Sequence, residues 1–462
     1  MSENDILNIV FILIILVIFV ALLKFIQIIK SSTDDLFNFE RDYERSTNKP
    51  TLKKEKQEGE STLIGVSPNR KNVFIPNNAK HVFVCGTTGS GKTVVLSNFI
   101  KSGADYNYPM LIVDGKGDTD TGSLLKIIEN LCPKRKIYVI NLNEPTKSDK
   151  YNPFKNTNTD VIKDMLINMT IWSEPHYKYN TERYIQRLCR LLAMKDIKIS
   201  LDSLTNYLPT INFIKLSNEL SQEDFISKEE HIEDIELAKT SGKIAESASA
   251  RFATIKESDL GQIFSDTGID VYTALKENAI ILFILNPLTY PETSPLIGNL
   301  VIIDSKKAVS NFYSHKKDRV FYILDEINVY ASPSLLDLVN KSRSANVTCV
   351  LATQSLSDLD NVSEQFKEQV IENCNNYIVL RQNSPTNAEH WSNVIGTRET
   401  MQATYQIKKE SGEPQSTDLG SLRKTREYLY HPDDIKMLAT GTAIFLSRDK
   451  MINSKIKVNK PF

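Results

Sequence analysis

The sequence carries almost no excess of charge. It has 56 lysines and arginines against 57 aspartates and glutamates over 462 residues, a formal net charge of −1. No global field draws such a chain to nucleic acid, so any nucleic-acid contact has to rest on local features. Cysteine is scarce. Cys85, Cys132, Cys189, Cys349 and Cys374 are scattered, with no CxxC pair and no His/Cys pairing at metal-ligand spacing. That argues against a disulfide framework or a zinc module and predicts buried free thiols in a reducing cytosol. No internal repeat is visible, and no aromatic-plus-basic stacking motif stands out, so the sequence names no DNA-contacting residue.

Two features are strongly present. The first is an apolar run, Ile6–Ile29, interrupted only by Asn8, Lys24 and Gln27. About 20 apolar residues in a helix span a bilayer core, so the run predicts a single transmembrane helix. Its leader carries Glu3 and Asp5 and no small-residue cleavage site follows, which argues against a cleaved signal peptide. Lys24 and Lys30 at its C-terminal end place the body of the chain in the cytoplasm, at the inner face of the cell membrane.

The second is His81–Ile100, HVFVCGTTGSGKTVVLSNFI, in which Gly86, Thr87, Thr88, Gly89, Ser90, Gly91, Lys92 and Thr93 form a full P-loop between a strand and a helix. Glycines let the loop wrap a phosphate chain with its N–H groups inward, and the helix adds its positive N-terminus. Lys92 is positioned by the motif to reach the β- and γ-phosphates, and the Thr93 hydroxyl to ligate magnesium. The implied ligands are ATP and Mg2+, and cytosolic ATP demands the same side of the membrane as the lysines do.

Around the P-loop the chain alternates between apolar runs and helical stretches. Met110–Asp114, Lys136–Asn141, Ala279–Leu285, Arg319–Asp325, Val347–Ala352, Tyr377–Leu380 and Thr442–Leu446 read as strands of a parallel sheet covered on both faces. From Pro153 to about Thr267 no convincing strand occurs, while Val161–Trp172, Thr181–Met194 and Lys228–Ile255 have helical periodicity. The expected organisation is a transmembrane anchor (1–30), a charged linker (31–62), an ATPase domain in two parts (63–152 and 268–462) and an all-α insertion (153–267). Met401–Lys424 is polar, with Gly412, Pro414 and Gly420, and reads as a long mobile loop.

The Arg319–Glu326 segment, RVFYILDE, is an apolar strand ending in adjacent carboxylates, the Walker B form. Asp325 is expected to hold the magnesium shell and Glu326 to polarise the attacking water. The strand Val347–Ala352 leads into Thr353 and Gln354, and a glutamine at this place can contact the γ-phosphate. The Asp114–Asp118 turn, DGKGD, suits either a ligand-facing position or a surface turn. A hydrolytic ring motor usually takes a basic finger from its neighbour, and either Arg343 or Arg251 can serve.

Taken in order, VFVCGTTGSGKT, LIVDGKGD, SASARF, YILDEIN, LATQSLSDL and TREYLYHPDDIKMLATGTAIF resemble the type IV secretion coupling proteins, conjugative DNA-transfer ATPases of the FtsK/HerA class. The resemblance implies an α/β, RecA-like P-loop ATPase with a mostly parallel sheet, an all-α insertion and a membrane anchor. It implies a homo-hexameric ring that pumps single-stranded DNA, with its attached relaxase, toward a secretion channel. The all-α part would engage the relaxosome, and Arg343 would take the inter-subunit arginine role. Two other functions fit the motifs: a DNA-segregation translocase of the same superfamily, and a membrane-tethered NTP-dependent switch or scaffold. Stimulation of ATP hydrolysis by single-stranded DNA separates the translocases from the switch.

Overall fold

A computed structural model describes residues 59–78, 80–168, 175–314, 319–410 and 413–462. The apolar run Ile6–Ile29 read as a membrane span, and most of the charged linker, lie outside the described residues. Among the described residues no helix is long and apolar enough to cross a membrane.

The strands follow the chain as β1 Ser61–Val66, β2 Asn72–Pro76, β3 Val82–Cys85, β4 Met110–Asp114, β5 Ile137–Asn141, β6 Ile280–Ile284, β7 Val320–Asp325, β8 Val347–Thr353, β9 Asn376–Val379, β10 Thr397–Glu410, β11 Glu413–Tyr428, β12 Thr442–Ser447 and β13 Ile452–Val458. Eleven of them make one sheet in the order β2-β1-β13-β12-β9-β3-β8-β7-β4-β6-β5. The seven strands from β9 to β5 run parallel. Strands such as β4, β6 and β7 are buried at every position, so their sequences are continuously apolar and helices cover both faces. β3 places the P-loop helix Lys92–Asp105 on one face, where Val95, Leu96, Phe99 and Ile100 join the core.

Two expectations are corrected. The sheet is mostly parallel as expected, but the strand at Thr442–Ser447, read with the parallel set, pairs antiparallel with β9, and β13, β1 and β2 continue in antiparallel fashion to the edge. β1 also begins at Ser61, inside the stretch read as linker. The second correction concerns Met401–Lys424, which is no loop. It belongs to an antiparallel hairpin, β10 with β11, registered from Thr397↔Tyr428 to Glu410↔Glu413. Met401, Ala403, Tyr405 and Ile407 alternate with polar residues, a period of two that marks β10 as a strand, whereas Gly412, Pro414 and Gly420 in the following stretch carry the loop signal. The hairpin, Gly396–Leu429, is a compact unit separate from Lys56–Ile395 with Tyr430–Phe462.

Between β5 and β6 the described chain is helical: Thr159–Asn168, Pro175–Met194, Leu201–Tyr207, Thr210–Gln222 and Lys228–Glu257. Tyr184 stacks on Phe213 at 4.5 Å at the centre of this group. The buried Asp234 takes Arg187 at 2.6 Å and the Ser217 hydroxyl at 2.7 Å. Where the chain leaves and re-enters the sheet, it is fastened to the helix Thr293–Ser314. Lys307 Nζ donates to the carbonyls of Pro153 and Lys155 and pairs with Asp270 at 3.1 Å and Asp304 at 2.8 Å. Asp304 also accepts from the Tyr151 hydroxyl and the Val271 N–H. Lys307 is 5% exposed and both carboxylates 0%, so the cluster holds only while every member is paired.

Candidate nucleotide-binding site

The P-loop leaves β3 at the C-terminal edge of the parallel strands, the edge at which open α/β sheets bind ligands. Gly89 (φ 74°) and Gly91 (φ 113°) occupy the left-handed region, which the loop's tight path requires and a side chain resists. A Cβ on Gly86 would lie 2.6 Å from Leu380 Cβ, so the loop can follow this course only with glycine there. The helix starts at Lys92 without a side-chain cap, leaving its first N–H groups for a ligand.

The outward face of the loop is held by distant segments. The Gly441 N–H donates to Ser90 O at 3.0 Å, the Thr440 hydroxyl to Gly89 O at 3.4 Å, and the Thr87 N–H to Arg381 O at 3.0 Å. Lys92 Nζ donates to Gly86 O at 3.0 Å. These bonds turn carbonyls away from the concavity, which suits an anion cradle.

β8 and β7 bring the remaining groups alongside. Lys92 Nζ stands 3.2 Å from Glu326 Oε1, with the two side chains 9% and 7% exposed. Gln354 Nε2 donates to the same Glu326 oxygen at 2.9 Å, and the Thr88 hydroxyl donates to Gln354 Oε1 at 2.9 Å. A polar chain thus runs Thr88–Gln354–Glu326–Lys92. Glu326 holds φ 48°, ψ 56°, a left-handed conformation that is strained for a non-glycine residue and typical of functional turns.

Asp325 is buried behind this chain. Its backbone carbonyl accepts from the Tyr330 hydroxyl at 2.9 Å, and its Oδ1 takes the Glu326 N–H at 3.0 Å. Burial, the adjacent Glu326 and Asp114 push the Asp325 carboxyl up to about 8, against the pull of Lys92. Asp114 is its partner across β4 and β7 and is itself raised to about 6 by burial, despite N–H donors from Lys116 and Gly117. The DGKGD turn therefore divides: Asp114 belongs to the site, while Asp118 pairs with the exposed Lys116 at 2.5 Å.

Cations fit here. Asp114, Asp325 and Glu326 crowd three carboxyls together, and Asp325 is pushed furthest from its ordinary value, so a cation beside them would be stabilised. The Thr93 hydroxyl and the Asp325 carboxylate are the groups that would hold a magnesium ion here. Such a small protein set suits Mg2+, which takes most of its shell from phosphates and water.

The structure brings together Gly86–Thr93, Asp325, Glu326 and Gln354. It does not bring Arg343 to them. Arg343 is exposed in the turn before β8, at the N-terminal edge of the sheet, while the P-loop lies at the opposite edge. The seven residues of β8 alone separate them by roughly 23 Å, at about 3.3 Å per residue. Arg251 lies on the helix Lys228–Glu257, and its side chain is outside the described residues. Tyr330, Arg381, Thr440 and Gly441 were not singled out in the sequence; their contribution comes from tertiary contact, and no local pattern marks it. All five cysteines are free and buried.

The architecture is similar to that of the bacterial conjugative coupling protein TrwB: 16% identity, 88% of this chain and 90% of that one, TM-score 0.61. TrwB in complex with ADP and Mg2+ matches with 16% identity over the same shares and a TM-score of 0.59. VirB4 of Thermoanaerobacter pseudethanolicus matches at 9% identity, 87% of this chain and 97% of that one, TM-score 0.53. At such identities the likeness is one of fold. Residues 319–440 match the family described as the TraM recognition site of TraD and TraG. An uncharacterised protein of Mycoplasma pneumoniae is 30% identical over 95 residues, 16% of this chain and 78% of that one, and a second is 27% identical over 101 residues, 22% of this chain and 67% of that one.

Fold and motif define a P-loop protein built on a large, mostly parallel sheet. Within that class, residues 319–440 resemble the TraM recognition site of TraD and TraG, and the architecture as a whole is similar to that of the coupling protein TrwB.

Proposed function

We propose that this chain is a membrane-anchored motor that hydrolyses ATP to drive DNA, with its bound relaxase, into a type IV secretion channel during conjugation. The observation that carries the reading is the Thr88–Gln354–Glu326–Lys92 chain, which links the phosphate loop, the Walker B turn and the end of β8.

The residues divide the work as follows. The N–H groups of the loop and first helical turn, apart from those of Gly86, Thr87 and Ser90, which bond within the protein, act with the Lys92 ammonium to bind and neutralise the triphosphate. A magnesium ion, held by Thr93 and Asp325, would supply charge to the β- and γ-phosphoryl oxygens. Glu326 orients the attacking water and takes its proton as the bond between the γ-phosphorus and the bridging oxygen breaks. Lys92 lies within 3.2 Å of Glu326, so a phosphate that draws the ammonium away leaves the carboxylate to water. Gln354, bonded to that same carboxylate, is placed to report the change along β8.

The reading extends to the assembly. The anchor is Ile6–Ile29, with the catalytic body in the cytoplasm, and the working form is a homo-hexamer. Arg343, on the sheet edge remote from its own P-loop, acts on the neighbouring subunit's nucleotide. Residues 319–440 and the helices between β5 and β6 meet the relaxosome. The test is displacement of streptavidin from biotinylated single-stranded DNA by the full chain in detergent. Displacement that needs ATP and is lost in Lys92→Ala supports the motor. ATP hydrolysis without displacement in any oligomeric state leaves the switch or scaffold.

A further inference from the structure

The helical group between β5 and β6 carries a surface that the nucleotide site does not use. On the helix Pro175–Met194, Tyr179 is 66% exposed and Tyr177 is 42% exposed, whereas Tyr184 on the same helix is buried against Phe213. The His176 ring lies 6.1 Å from that of Tyr177 and is bonded to Asn180. The first turns of this helix therefore present aromatic faces to water.

Basic groups continue the face of Tyr179. At 3.6 residues per turn, Tyr179, Arg183 and Arg190 project on one side, and both arginines are exposed. Neighbouring polar groups are already engaged. Arg187 holds the buried Asp234, Glu182 pairs with Lys163, and Gln186 binds Asp160. Arg183 and Arg190 make no ion pair among the described residues, so their forked donors are open to an external anion. They are separated by about 10.5 Å along the helix, enough to meet different phosphates of one strand.

We propose that Tyr179, Arg183 and Arg190 form a contact surface for single-stranded nucleic acid. The proposal rests on the motor reading above and assigns residues to its DNA. An unpaired base offers a π-face that stacks on an exposed tyrosine without regard to sequence, and the arginines bind the backbone charge. A duplex hides its base faces, so the tyrosine's share belongs to single strands alone.

The test is fluorescence anisotropy of labelled oligothymidine, and of a duplex of equal length, against the full chain in detergent over a range of salt. Tyr179→Ala is expected to weaken single-strand binding roughly five- to 150-fold while sparing the duplex, and Tyr179→Phe to retain it. Replacing Arg183 and Arg190 together with Gln is expected to reduce the slope of log affinity against log salt by about 1.4, the share of two phosphate contacts on a single strand. DNA-free ATP hydrolysis and far-UV circular dichroism should not change, since these side chains are exposed and remote from the P-loop. Unchanged affinity and slope in all variants overturn the surface while wild-type DNA-stimulated hydrolysis leaves the motor standing. Equal loss on single strand and duplex in Tyr179→Ala overturns the stacking. Absence of any DNA binding or stimulation in the wild type overturns both the surface and the motor.

Discussion

Asp325 stands between Glu326 and Asp114 in a dry pocket, and the same crowding that prepares it for a cation makes it costly to keep there ionised. Its carboxyl rises from the ordinary 3.8 to about 8 when the chain folds without nucleotide or metal. A carboxyl whose folded value lies above its unfolded value contributes fully below the unfolded value and weakens the fold as pH rises toward the folded one. Between pH 5 and pH 7 the unfolded chain has released this proton and the folded chain retains it, which costs up to about 1.4 kcal/mol per pH unit. The charge is shared with Glu326 and Asp114, so about 1–3 kcal/mol over that interval is the working expectation. Asp325→Asn keeps the shape and removes the ionisation. In buffer free of nucleotide and magnesium, the variant is expected to melt a few degrees above wild type at pH 7–8, with a smaller difference at pH 5. Thermal denaturation followed by circular dichroism across pH 5–8 measures this. Its hydrolysis should be abolished, so stability and activity move in opposite directions. A variant less stable than wild type at pH 8, or a difference that does not grow with pH, would refute the electrostatic account of the site.

Other consequences are as direct. Lys92→Ala should lose nucleotide binding, and Glu326→Gln should retain it while hydrolysis falls by at least about 100-fold, a split read by equilibrium binding beside steady-state turnover. Gly86→Ala would place a methyl 2.6 Å from Leu380 Cβ and from Ser90 Oγ, so the loop must shift. A several-fold rise in KM for ATP with an unchanged far-UV spectrum is expected, and an unaltered KM would count against the loop's rigidity. Lys307→Met leaves Asp304 and Asp270 buried without their cation. Chemical denaturation should register a loss of about 3–5 kcal/mol, and a loss under about 1 kcal/mol would show that the cluster is not what fastens the helices to the sheet.

Most of this sheet was legible because its strands are buried on both faces. Runs such as MLIVD, IILFI and VFYILD leave little else for those residues to be. β13, INSKIKV, alternates buried and exposed residues from Ser454 to Val458, but Ser454 is polar, so its apolar side is short and the segment is not read as a strand. The direction of β12 cannot be read from its apolar sequence, since pairing sense is a property of neighbours. The hairpin β10–β11 is obscured by Gly412, Pro414 and Gly420, although Met401, Ala403, Tyr405 and Ile407 give β10 a period of two. In the site, the P-loop and the Asp325–Glu326 pair announced themselves because spacing carries their chemistry. Asp114 remained undecided until the pairing of β4 with β7 set it opposite Asp325. The Thr440–Gly89 contact joins residues 351 positions apart, and no local pattern marks it. Tyr179 is a helical tyrosine in the sequence; only its exposure beside unpaired arginines sets it apart.

The central claim is that the Lys92–Glu326 site turns over ATP in service of DNA. The direct measurement is steady-state ATP hydrolysis by the full chain in detergent, with magnesium, as single-stranded DNA is added. Hydrolysis that rises several-fold and saturates with DNA, and that vanishes in Glu326→Gln, is the predicted result. Hydrolysis indifferent to DNA at every protein concentration, or surviving in Glu326→Gln, would contradict it.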